Sequence, residues 1–202
     1  MSSLGFRANA VHRMAMGDGP KTKGQNLRTF VTSLRVVEGP HAVAATLERL
    51  PAEIRVGLGS DSILANAWYP VAWYAALHAA AAEATGRGLE LARAIGREAS
   101  RQDFTGIYRI LSVVLSPQTV VARAPRVFAS FWDTGSARVV EVRHGFVRLE
   151  FEGCAGYDAR LWEDLSGAVE SLIEVTGGRG VQARRLAGGG SESAMTIEYT
   201  WR

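Results

Sequence analysis

The chain has 202 residues, of which 47% are hydrophobic and 21% charged, and its formal net charge is +3. A chain of this length buries enough surface to fold without disulfides or a structural metal. Its lone cysteine, Cys154, excludes a disulfide framework and any zinc site built from four cysteines or from two cysteines and two histidines. The positive excess lies on dispersed arginines, with Lys21 and Lys23 the only lysines, and no basic patch or motif accompanies it, so no nucleic-acid partner is expected.

Residues 1–23 carry Gly, Ser, Met and charge without periodicity and read as a flexible tail; residues 24–202 read as one domain. The start, Met1 to Pro20, has no continuous apolar core of a signal peptide. No run reaches the ~20 apolar residues of a membrane span. The Ala-rich stretch from Val71 to Ala84 is too short and is interrupted by His78 and Glu83. With a single cysteine, these features place the chain in a reducing cytoplasm.

From Gln25 to Val37, Leu27, Phe30, Val31, Leu34 and Val37 recur at helical spacing. Gly39-Pro40 ends that helix and starts the next, His41 to Leu50. Pro51 fits the first turn of a short third helix, and Leu58 to Asp61 reads as a loop. Pro70 disfavours a helical Tyr69 and opens a helix from Val71 to Thr85, closed by Gly86 and Gly88. Further helices are predicted from Leu89 to about Arg101 and from Gly106 to Leu115, followed by one or two over Gln118–Trp132, broken near Pro125.

The period then changes to alternation. Val139–Arg143 and Phe146–Glu152 form a hairpin across His144-Gly145, where glycine supplies the positive φ of a tight turn. Asp158 caps a helix with a Leu161, Leu165, Val169, Leu172 stripe, ended by Gly177-Gly178. Val181–Leu186 and Ala194–Trp201 supply two more strands. The fold class is α+β: a helical first two-thirds packed on a four-stranded antiparallel sheet from a C-terminal ββαββ unit.

Motifs of catalysis are missing. Gly17 to Gly24 lacks the spacing and the preceding strand of a phosphate-binding loop, and Gly57 to Ser62 lacks the final glycine and strand of a nucleophile elbow. None of His12, His41, His78 and His144 has a second His or Cys at metal-ligand spacing. His144 belongs in the exposed hairpin turn. His78 shares a helix with Tyr74 and reads either as a ligand contact, haem included, or as a core histidine with a satisfied hydrogen bond. Cys154 lies four residues before a helix start, which could activate a thiol, although free cysteines more often pack as small hydrophobes. Trp68, Trp73, Tyr74, Tyr108, Phe128, Phe131 and Trp132 form an aromatic set that core packing mostly explains and that a small-molecule pocket between helices and sheet would also draw on. With His78 and Cys154 they are the candidate ligand-binding residues.

The order of landmarks is distinctive: Leu50-Pro51-Ala52-Glu53, Trp68-Tyr69-Pro70, Ile95-Gly96-Arg97, Tyr108-Arg109 then Ser116-Pro117, Phe131 to Gly135, and the late Cys154, Gly167 and Trp201. This order resembles an uncharacterised paralogous family of myxobacteria. That family is similar to 4-vinyl reductase-type ligand-binding domains, haem-nitric-oxide-binding domains and transport-particle subunits. The resemblance covers about residues 24–202. It implies an internal apolar cavity, a sensory or regulatory role without catalysis, a small apolar ligand or a protein partner, and a homodimer formed through helices. Haem does not carry over, because the haem-binding branch requires a histidine on a helix shortly before the sheet and a Tyr-x-Ser-x-Arg motif; Ile107 to Trp132 contains no histidine, and the Tyr-x-Ser-x-Arg pattern is absent. No cofactor is therefore expected. The alternatives are an interaction module without ligand, a haem or gas sensor, and an enzyme using Cys154 or His78.

Overall fold

A computed structural model describes residues 18–60, 62–105 and 116–202. The helix expected over Gly106–Leu115, together with Tyr108, lies outside the described residues. Strand β1 (Lys21–Lys23) pairs antiparallel with β2 (Trp68–Pro70), with Thr22 opposite Tyr69. Among the described residues, regular structure is already present at Lys21, three residues ahead of Gly24, where the sequence places its onset. Such a short strand has no alternation to read, and its pairing partner lies more than forty residues away.

The first helices are α1 (Gly24–Glu38), α2 (Pro40–Arg49), α3 (Ala52–Gly59) and α4 (Val71–Thr85). Pro51 sits just before α3 rather than inside it, and Leu58 and Gly59 finish that helix instead of leaving it as a loop. In α1 the buried residues Leu27, Phe30 and Leu34 recur every three to four positions and turn one stripe inward. Helix α4 is buried on most sides through Val71, Trp73, Tyr74, Leu77, His78 and Ala81.

Helix α5 (Leu89–Thr105) is followed by the short α6 (Pro117–Val121) and by α7 (Ala124–Phe131). The chain breaks at Ala122-Arg123, so Pro125 falls in the first turn of α7, where its missing N–H costs nothing. The sheet then forms from β3 (Ser136–Arg143), β4 (Phe146–Glu152), β5 (Gln182–Gly188) and β6 (Met195–Thr200), in the order β3-β4-β6-β5 and antiparallel throughout. Helix α8 (Ala159–Val175) connects the two hairpin halves. Asp158 caps it as expected, accepting hydrogen bonds from the backbone N–H of Arg160 (2.9 Å) and Leu161 (3.0 Å). Gly145 adopts φ +71 in the hairpin turn.

Alternation gives the sheet two different faces. Val147, Leu149, Phe151, Met195, Ile197 and Tyr199 point inward and are buried. On the outer face a transverse row runs Arg184, Glu198, Arg148, Glu141. Glu198 accepts hydrogen bonds from Arg148 (Nε, 2.9 Å) and Arg184 (Nε, 3.2 Å), and the two guanidiniums hold its carboxyl below the usual range. Both edge strands are bulged, β3 between Val139 and Glu141 and β5 between Arg185 and Ala187.

Helices α5 and α8 approach each other closely, backbone against backbone. A Cβ on Gly96 would lie 1.9 Å from the carbonyl oxygen of Asp164, and one on Gly167 would lie 2.1 Å from that of Arg93. Only glycine permits backbones this close. The outer edge of the same helix pair is clamped by Arg93 and Arg97 on Glu163, Glu170 and Glu174.

Candidate functional site

Where α5 and α8 meet α7 and the inner sheet face, the packing leaves a cavity of about 260 Å³. Its apolar wall begins with α7. Ala124 and Phe128 share one face of that helix and are buried, and Phe131 follows at its end. Trp132 leaves the helix in an extended conformation, with its N–H bonded to the carbonyl of Phe128 (3.1 Å). Strand β1 pins this turn: Thr22 bridges to Trp132, its hydroxyl donates to the carbonyl of Phe131 (3.2 Å), and Asp133 N–H donates to the carbonyl of Lys21 (3.1 Å). The residues expected in a tail thus fix one wall of the cavity.

The aromatic rings form a continuous chain. Phe128 stacks with Trp132 at 6.2 Å and tilts against Phe151 at 5.6 Å; Trp132 meets Tyr74 edge-on at 5.7 Å. Of the candidate residues, Tyr74, Phe128, Phe131 and Trp132 line the cavity together. Trp68, Trp73, His78 and Cys154 do not. Trp68 lies under the ammonium of Lys23 (3.8 Å), and Trp73 packs on Tyr69 (5.6 Å).

His78 is buried between the rings of Phe30 (4.7 Å) and Tyr74 (4.9 Å). Its Nε2 is 3.5 Å from Oδ1 of Asp164, and neither atom has a hydrogen-bond partner. It is a core histidine, as one reading held, but without the satisfied hydrogen bond that reading assumed. Cys154 is fully buried, its thiol pushed up to about 11 by desolvation. That is the opposite of an activated nucleophile.

The polar part of the wall escaped the sequence reading. Asp164 on α8 is buried, and its Oδ2 accepts a hydrogen bond from the Tyr74 hydroxyl (3.0 Å). Asp103 on α5 accepts one from Nε2 of Gln25 (3.2 Å), and burial raises its carboxyl above the usual value. Burial first, then the charge of Asp164, pushes the Tyr74 phenol well up, so Tyr74 keeps its proton and donates it. Two signals pointed here: Asp164 sits three residues after Leu161 on the apolar stripe of α8, and Gly96 occupies a helix interior, where glycine marks a close approach.

No protein-family model and no curated protein matches the chain. Solved structures do. An oxygen-binding H-NOX domain related to soluble guanylate cyclases is 15% identical, with TM-score 0.67 over 89% of this chain and 95% of that one. An H-NOX structure solved to explain H-NOX activation is 14% identical, with TM-score 0.68 over 89% and 96%. The Fe(II) unliganded H-NOX protein of K. algicida is 11% identical, with TM-score 0.64 over 89% and 96%. The fold is that of the H-NOX domains. It is consistent with the fold that the wider resemblance implies.

The described part of the wall does not fit a haem. Haem iron takes His, Cys, Met or Tyr as its axial ligand. Among the described lining residues there is no His, Cys or Met, and the one tyrosine, Tyr74, holds its proton against Asp164. His41 and His144 are exposed elsewhere, and no histidine occurs between residues 104 and 132. The cavity also falls short of the ~300–1,000 Å³ that drug-sized ligands occupy, well below the needs of a tetrapyrrole.

Proposed function

We propose that this chain is a haem-free sensory domain on the H-NOX fold, a member of the paralogous family its landmarks resemble. It takes up a small, largely apolar molecule in the cavity between α5, α7 and α8 and regulates a partner without catalysis, as a homodimer. The observation that carries the reading is the cavity itself, closed on one side by Tyr74, Phe128 and Trp132 and on another by α8.

Two titrations of the purified chain test this. Haemin is expected to give no Soret band of a ligated haem. A hydrophobic dye is expected to bind the wild type and to be excluded by Ala168→Trp, which fills the cavity from α8. A stoichiometric, ligated Soret species, or dye uptake unchanged by A168W, overturns the proposal.

A further inference from the structure

Resting on that reading, we infer that the cavity selects a cationic amine carried on an apolar body about the size of one aromatic ring. The inference comes from the charge of the wall. Its described residues include two carboxylates, Asp103 and Asp164, and no Lys, Arg or His. Desolvated carboxylates are costly unless paired, and these two are under-supplied. Asp103 receives a hydrogen bond from a neutral amide, and Asp164 one from a neutral phenol. The second oxygen of Asp164 has no hydrogen bond, and the side chain is nine-tenths buried. The histidine facing it at 3.5 Å lies behind Tyr74 and does not line the cavity.

Both acids line the same cavity. The same wall carries the rings of Tyr74, Phe128, Phe131 and Trp132, whose faces attract cations. A metal ion is a poor alternative, because no group of three His, Cys, Asp or Glu among the described residues could hold one. Among the described lining residues, a carboxylate or phosphate ligand would meet no positive charge. An ammonium group on an apolar body answers both halves of the wall: the acids take its charge and N–H donors, and the rings cover its hydrocarbon.

The test compares three probes of one skeleton on the full chain by calorimetry at pH 7.5 and low salt: phenethylamine, 2-phenylethanol and 3-phenylpropanoate. Phenethylamine is expected to bind at least about tenfold tighter than the alcohol, the scale of a hydrogen bond to a charged group, and the carboxylate not measurably. Asp103→Asn and Asp164→Asn are each expected to erase the preference for the amine while leaving alcohol binding in place. Circular dichroism confirms that each variant is folded, and D103N serves if D164N is not. Equal affinity for amine and alcohol, or a preference that survives the folded variants, overturns the inference while leaving the cavity reading intact. If none of the probes binds and A168W changes nothing in the dye assay, the cavity reading itself has failed.

Discussion

Replacing Gly96 with alanine places a methyl group against backbone, not against a side chain that could rotate away. The new Cβ would sit 1.9 Å from the carbonyl oxygen of Asp164, 2.6 Å from its carbonyl carbon and 2.9 Å from its Cα. Helices α5 and α8 must separate to admit it. Overpacking costs ~1–3 kcal/mol in cores where side chains can adjust, and a rigid contact belongs at the top of that range. Alanine recovers ~1 kcal/mol over glycine in a helix interior. The net loss is therefore ~2 kcal/mol, which for a chain of this length lowers Tm by ~4–8 °C. Urea and thermal melts read it directly. Gly59→Ala, whose Cβ would meet nothing within 4 Å, is the control and is expected to be neutral or slightly stabilising. Gly167→Ala strains the same helix pair through the carbonyl of Arg93, so the double variant should lose less than the sum of the singles. If Gly96→Ala is as stable as the wild type, the close approach of α5 and α8 is wrong, and with it the shape of the cavity between them.

Asp103 gives a pH signature. Burial raises its folded carboxyl above the unfolded value, so its contribution is fully present in acid and is lost as pH rises through the folded value. Asp103→Asn is expected to raise Tm near neutrality and to lose that advantage in acid; an advantage independent of pH would refute the assignment. Cys154, with its thiol held near 11 by burial, is expected to react with a disulfide reagent at pH 8 only as fast as the protein unfolds. A rapid stoichiometric reaction of the native chain would restore the thiol as a candidate nucleophile.

The C-terminal half was the most legible part of the sequence, because the strands of its first hairpin alternate and its turns carry their own residues. The hairpin at His144-Gly145, the Asp158 cap and the α8 stripe all fall where the pattern places them. Strand β1 was not legible: Lys21–Lys23 gains its structure from Trp68–Pro70 and from Trp132, far along the chain. The cavity was half legible. Aromatic residues announce themselves, and four of the six named ones that lie among the described residues do line it. Its acids did not, because an aspartate on a helix looks solvent-facing until its neighbours on the same face are counted. Trp73 and His78 show the reverse error, since a buried aromatic on the right helix can face the core one turn away from the space that matters.

The bulges in β3 and β5 decide how this domain can meet a copy of itself. Strand addition needs a run of N–H and C=O groups in constant register, and each rim of the sheet breaks that run in mid-strand. A second sheet docking there would pair for three or four residues and then lose step. Edge-to-edge strand addition is therefore disfavoured, and crowding the chain at high concentration should not seed sheet-to-sheet polymers.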